Sequence, residues 1–220
     1  MTYDFIAPFI LNDTNTIYNQ STGQRELFNS IKAQATFKKL ADEVLYKGNV
    51  GSNHPVLEAA GGLFNILVLE DDIQRANYFN LFMNGVEGTQ DGFHDIMQTF
   101  KDNHFLWPES ASYGKETHEV CLHLLEVVDR YDPSLNMVNS HRKALKGAFL
   151  YEDWKYPNLN AMVRFGDSRR TKHAHFENLY LKVLAISNRA GLNTYKNLAI
   201  DYLQGVYNNE QKFVPTIANE

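Results

Sequence analysis

Apolar residues recur at helical spacing in segment after segment of this chain, and no run of strict alternation is long enough to build a sheet. From Arg25 to Lys47, the residues Leu27, Ile31, Ala35, Leu40, Val44 and Leu45 fall roughly on one stripe, the pattern of an amphipathic helix with one buried face. After the loop GNVGSNHP (48–55), the stretch VLEAAGGLFNILVL (56–69) is apolar nearly all round, which predicts an inner helix entered through Pro55. Its Gly61-Gly62 pair lowers helix propensity and makes sense where another element packs closely. Further helices are expected over Asp72–Asn84, Gly92–Asn103, His118–Arg130, Pro133–Glu152, His173–Ala190 and Thr194–Tyr207.

The connections are short, so neighbouring helices should run antiparallel. There is no fixed repeat length. The expected fold is all-α: antiparallel helical hairpins forming an (α/α) toroid or part of one, with an orthogonal bundle as the alternative. Residues 1–24 read as an irregular or short helical lead-in broken by Pro8, residues 25–207 as the helical domain, and 208–220 as a loose tail.

Composition narrows the function classes. The chain has 220 residues, enough for one substantial domain, and a net charge of -5. Such a balance argues against nucleic acid, which calls for a clustered basic excess. No apolar run reaches the roughly 18 residues of a membrane span. The start, MTYDFIAPFI, has no secretory leader pattern. The single Cys121 excludes an internal disulfide. A local basic patch, Arg164, Arg169, Arg170, Lys172, His173 and His175, leaves room for an anionic partner. The 14 Phe, 12 Tyr and 2 Trp serve a helical core first, although Tyr and Trp also offer sugars a flat face and a hydrogen-bonding tip.

Three loops hold the unusual polar residues. In Gly51-Ser52-Asn53-His54-Pro55, Glu58 follows His54 at i+4 and shares its helix face, so it can orient the imidazole. The competing use is helix capping by Ser52, Asn53 or His54. In HFLWPESASYG (104–114), Trp107, Glu109 and Tyr113 form a candidate cleft wall, with Gly114 allowing close approach of a ligand. The competing use is an ordinary loop whose Trp107 and Tyr113 pack inward. In RFGDSRR (164–170), Arg164, Arg169 and Arg170 offer bidentate contacts to carboxylate or sulfate, while Asp167 or Ser168 can equally cap the next helix. Glu119, His123 and Glu126 share a helix face but lack the HExxH arrangement, so a solvated face is the better reading and no metal is expected. No phosphate loop, dinucleotide fingerprint or nucleophile elbow is present, and no cofactor is expected.

Taken together, SNHPVLEAAGGLFNILVLEDD, LWPESASYG, YPNLNAMVRFGDS and the early YDFIAP resemble, in order and spacing, the helical domain of heparinase II/III-like polysaccharide lyases, alginate lyases included. The resemblance covers residues 3–205 and implies β-elimination at a uronic acid of an anionic polysaccharide or oligosaccharide. By resemblance, Asn53 binds the uronate carboxylate, Tyr113 protonates the leaving oxygen, and His54 or Tyr113 takes the C5 proton. Glu58, Trp107, Glu109, Arg164, Arg169, Arg170 and His173 are the expected substrate contacts. The last three of these have no motif position of their own. The family's helical domain is longer and is followed by a β-sandwich, which this chain lacks. The chain therefore reads as a fragment, weakly active or inactive alone, of a periplasmic or secreted enzyme. A non-catalytic glycan- or protein-binding module and an (α/α) glycoside hydrolase using Glu109 are the alternatives. A lyase needs Asn53, His54 and Tyr113 in one cleft, a hydrolase needs two facing carboxylates, and a binding module needs neither.

Overall fold

The computed structural model describes residues 2–12, 14–102, 104–156, 162–166 and 176–208. The chain is mostly α-helical, and the strands among these residues form two two-stranded ribbons. It divides into two compact units, Met1–Phe93 and His94–Glu220.

In the first unit, α1 (Thr2–Ile10) continues through Pro8 rather than breaking there. The polar, turn-rich stretch after it is a β-hairpin, β1 (Thr16–Asn19) against β2 (Gln24–Leu27). The following helix, α2, therefore spans Ser30–Lys47 and starts later than its apolar stripe suggests, with Asn29 Oδ1 capping the amide of Lys32 at 2.8 Å. α3 (His54–Leu67) returns antiparallel to α2. The Gln34 side chain, near the start of α2, donates to Val68 O at 3.0 Å and accepts from Glu70 N at 3.0 Å, just past the end of α3.

Gly62 sits against the Val44 side chain, where a Cβ would come within 2.9 Å, while Gly61 faces open space. One of the paired glycines is thus a packing residue and the other is not. α3 buries Val56, Ala59, Leu63 and Ile66 but leaves Leu57 exposed. It is a one-sided helix, not the inner helix its composition suggests. α4 (Asp72–Asn84) matches its expected limits and ends at Gly85, whose φ of 83° needs no Cβ. A two-residue ribbon, β3 (Gly85–Val86) with β4 (Gln90–Asp91), closes the unit. Gln90 Nε2 donates to Pro55 O at 3.0 Å and so ties that ribbon to the start of α3.

The second unit opens within α5 (Phe93–Asp102). α6 (Ala111–Tyr131) is the longest of the described helices and buries Cys121, Leu122, Leu124, Leu125 and Val128. The expected single helix over Pro133–Glu152 is broken. A 3-10 turn at Pro133–Leu135 ends at Asn136, whose φ of 51° interrupts the helix. A short α7 (Met137–Ser140), then α8 (Arg142–Leu150), then a 3-10 turn at Tyr151–Trp154 follow.

α9 (Glu177–Arg189) and α10 (Asn193–Tyr207) form a second antiparallel hairpin, with Tyr207 Oη donating to Glu177 Oε1 at 2.9 Å. α9 runs parallel to α6, since Lys182 Nζ meets His123 Nδ1 at 3.0 Å and Arg189 meets Asp129 at 2.8 Å. Phe149, Phe176, Tyr180 and Tyr202 fill the core between them. Below them the Tyr180 hydroxyl donates to Glu152, which also pairs with Lys155 at 2.6 Å. No described helix is long and apolar enough to cross a membrane. The expected tail beyond Asn208 lies outside the described residues.

Candidate active site

In the first unit the candidate residues stand at the start of α3. Ser52 has a φ of 59°, and Asn53 follows with helical backbone angles, φ −92° and ψ −2°. Asn53 occupies the cap position but makes no side-chain cap bond, so the capping use is not realised by that amide. It is half-buried, and His54 beside it is exposed. The Glu58 carboxylate is 3.9 Å from His54 Nδ1, too long for a good hydrogen bond. Its other oxygen accepts from Asn49 N at 3.0 Å, and Asn49 Oδ1 accepts from Gly51 N at 2.8 Å. Glu58 is therefore first a tie that holds the 48–53 loop. It stands near the imidazole without gripping it.

In the second unit, LWPESASYG is not one loop. Residues 111–114 form the first turn of α6, opened by Gly114 N donating to Ser110 O at 2.7 Å. Tyr113 is half-buried on that turn. Gly114 serves packing rather than ligand approach: a Cβ there would meet the carbonyls of Glu109 and Trp107 and the Tyr151 hydroxyl, each at 3.4 Å. Trp107 is 6% exposed and leans on Phe100, ring centroids 5.8 Å apart, so its bulk packs inward. Glu109 Oε1 accepts from Ser110 N at 2.9 Å.

An open depression of about 600 Å³ is lined by His104, Trp107, Pro108, Glu109, Trp154 and Phe165 among others. Trp154 and Phe165 meet edge to face at 5.2 Å. Arg164 is exposed next to Phe165. Arg169, Arg170 and His173, with Asp167, Ser168, Lys172 and His175, lie outside the described residues. Trp154 escaped the sequence reading. Its signal was the WKYP stretch just before the third loop, with a large aromatic at a helix end.

His118 was also missed. It is fully buried between Phe100 and Tyr151, its Nε2 donating to Ala144 O at 2.7 Å and its Nδ1 without a partner. Burial lowers its pKa to about 4, against the raising effect of the Ala144 bond, so it is a neutral core residue.

The carboxylates of the possible metal face have cations instead. Glu119 pairs with Lys115 at 3.4 Å and Glu126 with Arg130 at 2.8 Å, while His123 accepts from Lys182. Among the described residues no group of three acidic, His or Cys side chains is placed to hold a metal ion.

The structure thus groups Asn53, His54 and Glu58 at one helix start, and groups Trp107 and Glu109 with Trp154 and Phe165 around one depression. Tyr113 lies on the turn that follows Glu109. The two groups belong to different units, and their joint action is a matter of function.

Comparison with known proteins gives a consistent signal. Residues 103–220 match the family described as the endo-acting ulvan lyase 2nd domain. Over 214 residues the chain is 29% identical to an endo-acting ulvan lyase of Formosa agariphila, covering 94% of this chain and 26% of the relative. The chain therefore spans about a quarter of the length of that curated relative. No solved structure matches it.

Proposed function

The chain belongs to the family of the second domain of endo-acting ulvan lyases, and from that membership we propose that it is the helical part of a polysaccharide lyase that cleaves ulvan, a uronic-acid-containing glycan, by β-elimination. The family match carries this reading. The heparinase II/III-like assignment and an (α/α) toroid are finer parts of the same proposal, supported by the antiparallel pairing of α2 with α3 and of α9 with α10. A polymeric substrate that does not enter cells supports a periplasmic or secreted setting.

The chemistry asks three things of the protein. The Asn53 amide donates to the uronate carboxylate and spreads the charge that develops when C5 loses its proton. His54, exposed beside Asn53, takes that proton. The electron pair forms the C4–C5 double bond, the C4–O bond breaks, and the Tyr113 hydroxyl protonates the departing oxygen. Asn53 is available for this work because it does not cap its helix. The depression at Trp107 and Glu109, edged by Trp154 and Phe165, offers aromatic faces to neighbouring sugars.

The test is Tyr113→Phe in the full-length protein, read as ultraviolet absorbance of the unsaturated product released from ulvan. The expected loss is about 100- to 10,000-fold, the usual value of a positioned acid or base. Activity within a few-fold of wild type would remove Tyr113 from the mechanism. A retained rate in the Asn53 and His54 variants as well would reduce the domain to a binding module.

A further inference from the structure

The first unit and the depression at Trp107 do not account for the basic side chains of α5 and α8. A cavity of about 320 Å³ opens between these helices, floored by Tyr195 of α10. Its walls carry Lys101 from α5 and Arg142, Lys143 and Lys146 from α8, together with His141, Asn139, Ser140 and Gln98, and among the described residues no acidic side chain lines it. That concentration stands out on a chain whose net charge is -5. We propose that this cavity is an anion-binding site that seats a sulfate or carboxylate group of an acidic polysaccharide, outside the candidate active site. The anionic group follows from the cavity itself; its attachment to a polysaccharide rests on the functional reading above.

The wall is built rather than incidental. His104 and Phe105 both take positive φ, 53° and 76°, a conformation that costs a non-glycine residue. Phe105 N donates to Phe100 O at 2.7 Å. The Phe105 carbonyl lies so close on Gly147 that a Cβ there would stand 1.7 Å from it. This strained turn places the Phe105 ring beneath two ammonium groups, Lys143 at 5.2 Å and Lys146 at 5.0 Å from its centroid. The ring's negative face steadies both cations, so two like charges are held on one wall of a cavity.

Arg142 and Lys143 also stand in the first turn of α8, where the helix dipole disfavours cations and favours an anion. His141, half-buried at the rim, is lowered from its ordinary pKa by burial first, then by His94, and less by Lys101, while its bond to the Met97 backbone raises it. The groups around it are His94 and Lys101 from α5 and the α8 cations, with Tyr195 below. A volume of this size is at the small end of ligand pockets and suits one charged group with part of a sugar ring.

The cavity is tested with the whole chain by two probes at constant ionic strength. The first is inorganic sulfate, followed through the His141 ring resonances. Bound sulfate should raise the His141 pKa and shift those resonances, and the double variant Arg142→Ala/Lys143→Ala should lose the response while its circular dichroism stays unchanged. No sulfate response in the wild type overturns the site. The second is ulvan immobilised in a native gel. The variant should be retained about 10-fold less strongly than wild type. Equal retention of both overturns the proposal while leaving the lyase reading standing. If sulfate binds but ulvan retains neither protein, the anion site stands and the ulvan reading fails. Duplex DNA displacing ulvan at equal phosphate-to-sulfate charge would overturn the polysaccharide assignment. Lysine-only loss, with Lys143→Ala as weak as the double variant, would support the Phe105-held wall as the anchor.

Discussion

The helices α3 and α4 of the first unit begin on residues of nearly equal capping ability, yet they use them differently. Asp71 before α4 is extended, φ −71° and ψ 110°, and its carboxylate accepts from Gln74 N at 2.9 Å. Asn53 before α3 has helical angles, and its side chain bonds none of the free amides of the first turn. The difference originates one residue earlier, where Ser52 takes a left-handed conformation. An extended cap residue turns its side chain back over the helix end. A helical one directs it elsewhere. α4 thus keeps a stabilising contact worth about 1 kcal/mol, and α3 forgoes it and is left with an amide and an imidazole at an open helix start. One helix start carries a side-chain cap and the other does not, and under the proposed function the uncapped start is the one that meets substrate.

The largest effect should therefore appear in rate at the uncapped start. Asn53→Ala in the full-length protein is expected to lower kcat on ulvan about 100- to 1,000-fold, the range for losing one donor that stabilises developing charge. Its thermal unfolding should move little, because no cap bond is lost. A variant that loses several degrees of Tm and keeps its rate would reverse the comparison and make Asn53 a structural cap.

A second contrast lies within α6, between the half-buried Tyr113 on its first turn and the fully buried His118 just beyond it. A histidine kept neutral by burial makes stability depend on pH with a defined sign. Its folded pKa is lowered to about 4 from an ordinary 6.5. Above 6.5 both states are neutral and nothing is lost. As pH falls from 6.5 towards 4, the unfolded chain takes up a proton that the folded chain refuses, and stability declines by on the order of 3 kcal/mol. Unfolding at stepped pH should show that loss in wild type, and His118→Gln, which keeps an amide donor for Ala144, should show a flatter slope. An equal slope in both proteins would mean that other groups carry the acid sensitivity.

The cap that functions as a cap gives a smaller number. Asp71→Ala should cost about 1 kcal/mol of stability, with kcat unchanged. Denaturant midpoints for Asp71→Ala and Asn53→Ala, measured side by side, separate the two helix starts directly.

The same comparison explains what was legible in the sequence. α4 was expected over Asp72 to about Asn84 and spans Asp72–Asn84, where the structure shows Asp71 capping it and Gly85 ending it, both local features. The hairpin pairing of α2 with α3 followed from short connections. The start of α6 was missed because Ser110-Ala111-Ser112-Tyr113-Gly114 reads as loop chemistry, and only the buried surface under Gly114 makes a helix of it. The break at Asn136 depends on a left-handed residue within a sequence that otherwise continues helical. The β1–β2 ribbon is polar and largely exposed, so no alternation marked it. Candidate residues in contiguous motifs, such as Asn53, His54, Trp107, Glu109 and Tyr113, were visible. The depression's Trp154 and the cations of α5 and α8 were not, because folding alone brings them together from distant parts of the chain.

The smallest expected effect tests the origin of the contrast. Ser52 holds a φ of 59°, a conformation that costs an L-residue roughly 1 kcal/mol or more and costs glycine little. Ser52→Gly removes that strain but adds freedom to the unfolded chain, which subtracts about 0.5–1 kcal/mol. The net change should fall within about 1 kcal/mol of zero, whereas Ser52→Val, with a branched β-carbon in a left-handed site, should be clearly less stable. The serine hydroxyl, 3.5 Å from Asn53 Oδ1, adds at most a weak contact. The informative reading is the rate beside the stability. If the left-handed turn is what keeps Asn53 off the helix amides, Ser52→Gly preserves it and kcat on ulvan stays near wild type. If the glycine variant gains several degrees of Tm and loses rate together, Asn53 has relaxed into an ordinary cap. The open helix start is then a property of Ser52 alone, and the conformation at that one residue decides between capping and catalysis.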